Sequence, residues 1–224
     1  MTLIDLYRMV AEPRGLAAHE LPVAERAALS ARALPVMWPG YQVPTGTERA
    51  VEPIEIVAYD PDWPARFQSW RDRLAGVLGD AALRIEHVGS TAIPDLPAKP
   101  VIDILVTVPD PDREASYVPA IESLRIQLRS RDDLHRYFRP FSGNPRDVQV
   151  HVCAAGSSWE RRHLLFRDYL RTNESARQAY LAAKLEAAQH WRDDRIAYAD
   201  AKTDVINRLI ARAEIWAIET GWQS

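Results

Sequence analysis

The chain has 224 residues, 47% hydrophobic and 26% charged, with a formal net charge of -3 and one cysteine, Cys153. That composition is ordinary for a folded globular protein, and the charge gives no support to a generic binder of nucleic-acid backbones. A single cysteine excludes an internal disulfide and a cysteine-based zinc site, and no run approaches the roughly 20 apolar residues that span a bilayer.

The opening residues, MTLIDLYRMVAEPRG, lack the continuous apolar core of a signal peptide, so a cytoplasmic protein is expected. Residues 1–50 read as an extension. Leu3, Leu6, Tyr7 and Val10 share a helical face, and Pro22 opens a second helix to about Ala33. In LPVMWPGYQVPTGTERAVEP, prolines and glycines break regular structure. This reads as an arm over the main domain, anchored by Met37, Trp38 and Tyr41, and is equally compatible with an oligomer contact.

Residues 51–156 read as the core and 157–224 as C-terminal helices of the same domain. Ile54, Ile56 and Ala58 alternate as in a strand. Asp60 or Asp62 caps a helix in which Phe67, Trp70, Leu74 and Leu78 recur until Gly79. RIEHV is a short strand, and VIDILVTV is the next. Residues 113–125 fit a helix, 126–130 and 135–141 a hairpin-like return, and DVQVHVC a last strand. Ser157 and Glu160 form a capping box before HLLFRDYLR. A helix restarts at Thr172 or Asn173. A third begins near Asp194, with Ile206, Leu209, Ile210 and Ala213 on one stripe. Alternating strands and helices followed by a helical tail predict an α+β fold, or α/β with a mixed sheet.

The chemistry centres on Asp103. Val101, Asp103, Leu105 and Thr107 share one strand face; Ile102, Ile104, Val106 and Val108 share the other, which must be the core. An unpaired carboxylate in an apolar interior costs several kcal/mol, so Asp103 faces a cleft, a cation or a set of donors. The alternative is a structural ion pair, for example with Lys99. Upstream, Gly89 permits close backbone approach, and Ser90 and Thr91 can donate to a phosphate. His151 shares a face with Gln149 on the last strand; a hydrogen-bonded cleft histidine is its plainer reading. Arg167, Arg171 and His163 form one helical line suited to a triphosphate, against the plainer reading of a solvated face offset by Asp168. Glu86, just before the turn, could add a carboxylate.

Three groups of stretches, IVAYDPDWPARF, IEHVGSTAIPDLPAKPVIDILV and WERRHLLFRDYLR followed by AYLAAK and YADAK, resemble the GrpB family in order and spacing. That family is a branch of the nucleotidyltransferase superfamily with a DNA-polymerase-β-like core, and the likeness covers residues 53–216. It implies a nucleotidyltransferase-like mixed sheet with packed helices. The superfamily pattern is Gly-Ser, then Asp-x-Asp or Asp-x-Glu on the next strand, then a third carboxylate on a later strand. Gly89, Ser90 and Asp103 match. Leu105 replaces the second acid, DVQVHVC has no aspartate in its middle, and Gln149 stands where the family often has the first histidine of His-x-His.

Together these readings assign catalysis to Asp103 with Ser90. They assign phosphate binding to Gly89, Ser90, Thr91, Lys99, Arg167, Arg171, Lys184 and Lys202. One Mg²⁺ is expected on Asp103, His151, water and nucleotide phosphates, with Glu86 as a further ligand. The expected function is binding of ATP or another nucleoside triphosphate with nucleotidyl transfer to a small-molecule acceptor, or adenylation of a carboxylate. The alternative is a nucleotide- or metabolite-binding module that has lost catalysis, which Leu105 and the missing third acid favour. An RNA-handling role is the weakest reading, because no basic tract is present.

Overall fold

The computed structural model describes residues 1–38, 40–44 and 52–224. The expected junction between extension and core falls at residues 50 and 51, outside the described residues. Among the described residues a single sheet has five strands: β1 (Arg84–Val88), β2 (Ile102–Val108), β3 (Ile126–Arg131), β4 (His135–Pro140) and β5 (Val148–Ala154). Their order is β1-β2-β5-β4-β3. β2 and β5 run parallel, while the other three pairings are antiparallel. The fold is α+β with a mixed sheet, as the order of elements predicts.

Strand alternation divides the sheet into two faces. Ile102, Ile104, Val106 and Val108 point with Val148, Val150, Val152 and Phe138 into the main core, under α3 (Trp63–Leu78) and α4 (Val118–Glu122). Each of these fully buried aliphatic side chains contributes about 2 kcal/mol relative to exposure. On the other face Asp103, Leu105 and Thr107 lie opposite Gln149, His151 and Cys153. There α5 (Ser158–Thr172) seals one end, where Leu164 closes over Val88, Leu105 and Cys153. The Asp103 end remains open. This asymmetry positions the site.

Further helices complete the C-terminal half and the extension. α6 (Glu174–His190) and α8 (Thr203–Thr220) pack with α5 around Leu165, Tyr180 and Leu209. α1 (Leu3–Ala11) and α2 (Val23–Met37) dock through Leu3, Tyr7 and Leu21 onto Trp191, Ala197 and Tyr198. The anchors of the extension are thus Leu3, Tyr7 and Leu21, with Met37 packed against the same cluster as expected, while Trp38 is 44% exposed and leans on Tyr41. α2 also runs on to Met37 with Pro35 inside it, past the expected end near Ala33. No helix among the described residues is long and apolar enough to cross a membrane.

Three local expectations are corrected. Ile54–Ala58 forms no strand: Val57 makes one bridge to Ala98. Pro97 and Pro100 flank that partner and cannot extend a ladder, since proline has no N–H to give. Residues 113–125 split into a tight turn at Glu114–Ser116 and the short α4, which restarts with Pro119 in its first turn. The last predicted helix also divides, into α7 (Arg195–Asp200) and α8, with Lys202 at the junction.

Candidate functional site

The turn after β1 is built around Asp103. Val88 pairs with Asp103 across the β1–β2 ladder, and Gly89 then adopts φ 68° and ψ -167°, a conformation essentially reserved for glycine. A Cβ at Gly89 would stand 2.8 Å from the Asp103 Cβ, so the turn needs glycine for space as well as for dihedral. Ser90 opens a tight helical turn, Ser90–Ala92. Its hydroxyl lies 3.4 Å from the Tyr180 hydroxyl. Thr91 is buried: its hydroxyl donates to the Val101 carbonyl at 3.1 Å and meets the His87 ring nitrogen at 3.0 Å. Thr91 therefore pins the turn to β2.

The Asp103 side chain keeps 27% of its surface exposed, so it opens to solvent rather than being sealed in the core. One carboxylate oxygen is 3.8 Å from His151 Nε2, too far for a hydrogen bond. Burial lowers the His151 pKa against the opposing pull of Asp103, which favours a neutral ring. Its Nδ1 is buried without a partner. The ring continues a row of half-buried aromatics that includes Tyr137, His135 and Trp159.

Three lysines converge on the same carboxylate. Lys184, on α6, is 1% exposed and donates to the Pro97 carbonyl at 2.6 Å. Lys202, at the α7–α8 junction, is 9% exposed, with Nζ 3.9 Å from the centre of the Tyr198 ring. Lys99 reaches the same ring at 4.7 Å. Among the described residues, no carboxylate oxygen lies within 4.0 Å of any of these ammonium groups. Burial pushes Lys99 down to about 8, Lys184 down to about 7 and Lys202 well below the usual lysine value. Asp103 is the one acid whose field raises all three.

Tyr180 and Tyr198 went unnoticed in the sequence, yet each precedes its lysine by four residues: Tyr180 and Lys184, Tyr198 and Lys202. That spacing stacks ring and ammonium on one helix face, and the repeated Tyr-x-x-x-Lys pattern was the available signal.

The arginine stripe is used differently. Arg167 donates to Glu86 at 2.7 Å, to the His87 carbonyl at 3.1 Å and to Asp168 at 2.7 Å. Arg171 donates to the Ala92 carbonyl at 2.9 Å and lies 3.3 Å from Asp168. Both arginines brace the turn from outside with their charge already matched. His163 stacks on Trp159 at 3.6 Å, and its pKa is pushed down to about 3 by burial.

The donor set does not suit a divalent ion held by the protein. Glu86 is engaged by Arg167, Gln149 faces Asp103 in register, and Leu105 is fully buried in the position of a second acid. Among the described residues no group of three metal-ligating side chains converges. Three ammonium groups around one carboxylate also oppose a second cation.

Similarity to known proteins agrees with the motifs. The GrpB protein family model matches residues 53–212. The chain belongs to the GrpB family. A UPF0157 protein of Halalkalibacterium halodurans is 44% identical over 71% of this chain and 82% of its own length. A dephospho-CoA kinase of Mycolicibacterium paratuberculosis is 34% identical over 76% of this chain, which spans only 48% of that protein. A crystal structure of conserved protein GrpB from Enterococcus faecalis superposes with TM-score 0.64 at 29% identity, covering 72% of this chain and 99% of that one.

Proposed function

We propose that this GrpB-family cleft binds the polyphosphate of a nucleoside triphosphate and transfers its nucleotidyl group to a small-molecule acceptor. The observation that carries the reading is the set of amino groups of half-buried Lys99 and buried Lys184 and Lys202, which have no carboxylate within ion-pair distance among the described residues. Burial disfavours their charged form, and an anion that arrives in the cleft restores it by matching the charge. The Gly89–Ser90 turn beside Asp103 supplies hydroxyl and amide donors for the same anion, in the order the nucleotidyltransferase superfamily uses.

In this reading an acceptor carboxylate, or a hydroxyl or amine that gives up its proton to the Asp103 carboxylate, attacks the α-phosphorus. The bond to the bridging oxygen breaks, and pyrophosphate leaves with its charge spread over the lysines. Asp103 and Ser90 face the reacting phosphate. Such catalysis consists mainly of positioning and charge stabilisation, which fits a site poor in acid–base groups. A second reading, a binding module without turnover, is favoured by Leu105, and the matching half of a longer protein named as a dephospho-CoA kinase suits an accessory role.

Titration calorimetry with ATP, CTP, GTP and UTP, with and without Mg²⁺, tests the binding, and pyrophosphate release in a metabolite pool tests the chemistry. Wild-type binding that Lys184→Met and Lys202→Met abolish supports the cleft, and turnover that Asp103→Asn removes supports the enzyme. Binding indifferent to both lysines would end the proposal.

A further inference from the structure

The family match begins at residue 53, yet the two helices before it grip the element beneath the lysines. α7 has only six residues, too few to be stable alone, so its position is set by what holds its ends. At its start, Asp194 Oδ1 accepts the Ala197 amide at 3.0 Å as a helix cap. The other oxygen accepts the Tyr7 hydroxyl at 3.1 Å and lies 3.6 Å from Arg26 Nε. Arg26 is itself buried, pairs with Asp193 at 2.8 Å and lies over the Trp191 ring. At the far end of α7, Asp200 Oδ2 accepts the Ile4 amide at 2.9 Å. Between these two fixed ends sits Tyr198, 1% exposed, the shared platform of Lys99 and Lys202.

We propose that Tyr7, Arg26 and the Ile4 amide are positioning groups of the phosphate cleft, fixing both ends of α7 and through it the Tyr198 ring under Lys99 and Lys202. The inference rests on the polyphosphate reading of that cleft. It makes the N-terminal helices part of the site, although they touch no substrate. A ring displaced by more than about 2 Å would release both amino groups, because attraction to an aromatic face falls off within about 6 Å of its centre.

Ile4→Pro isolates one hold: it deletes the amide donor, while proline is tolerated in a first helical turn. Ile4→Ala trims the same side chain and keeps the amide. Tyr7→Phe removes the hydroxyl at the other end and reads the same effect if Ile4→Pro does not fold. In the full chain, well below the unfolding temperature, two quantities are measured: the affinity for ATP, and the rate at which Lys202 is labelled by trinitrobenzenesulfonate, located by peptide mass mapping. Ile4→Pro and Tyr7→Phe should each weaken ATP about 10-fold and speed Lys202 labelling, with Ile4→Ala within about 2-fold of wild type. Unchanged affinity and labelling in variants that merely melt earlier would overturn the inference. If the wild type binds no ATP, the reading of the cleft fails, and Lys202 labelling alone still decides the positioning role.

Discussion

Two groups of cations surround the Gly89–Ser90 turn and differ in one respect. Arg167 and Arg171 meet Glu86, Asp168 and main-chain carbonyls at 2.7–3.3 Å, so their charge is matched within the fold. Half-buried Lys99 and buried Lys184 and Lys202 surround one carboxylate that none of them contacts as an ion pair. A matched buried cation is spent on structure. An unmatched one is a cost to the folded chain unless a ligand supplies the missing charge. The contrast separates scaffold from site more sharply than residue type does, since every one of these side chains is basic.

The largest expected effect lies in ligand binding. Lys184→Met should weaken ATP about 100-fold, whereas Arg171→Met should leave affinity within about 3-fold, both by calorimetry. Next comes stability, where the two groups should move in opposite directions. Arg167→Ala strands Glu86 and leaves Asp168 to Arg171 and the Trp222 indole, and should cost about 2 kcal/mol in urea denaturation, a figure discounted for their partial exposure. Lys184→Met should instead stabilise the free protein by about 1 kcal/mol, as replacing an unmatched buried charge does. An unstable Lys184→Met would place that lysine with the scaffold.

The pH dependence sharpens the same comparison. Lys184 falls from 10.5 to about 7 on folding, so the unfolded chain binds the extra proton between those values. The stability of the free protein should therefore rise with pH from about 7 towards 10.5, and Lys184→Met should flatten that rise in melting temperatures taken across the range. His87 moves from 6.5 to about 4 by burial, so stability should fall as pH drops through that window. The most local effect is at the turn: Gly89→Ala, forced against Asp103 at positive φ, should cost about 1–3 kcal/mol with little change in secondary structure.

Much of the fold could be read from pattern. The alternation in VIDILVTV placed Ile102, Ile104, Val106 and Val108 in the core and left Asp103 on the open face, as the structure has it. Gly79, Ser157 and Asn173 end or start helices where punctuation residues should. The arginine stripe on α5 was legible as a face, but its partners were not. Glu86 and the Ala92 carbonyl lie far away in sequence, and helical spacing says nothing about what a face meets. Ile54–Ala58 alternated like a strand and made only the single bridge from Val57 to Ala98, because a ladder needs two compatible edges.

The amino-acid order alone determined the strands, most helix ends, the glycine that lets the turn reach Asp103, and the absence of a second acid at Leu105. These depend on interactions within a few residues, which local spacing records. Tertiary packing decided which cations are neutralised. It broke the last helix at Lys202 without glycine or proline, brought Lys99 and Lys184 to the same carboxylate, and set α1 against both ends of α7. Charge matching between distant segments depends on position in three dimensions, and no local pattern encodes it.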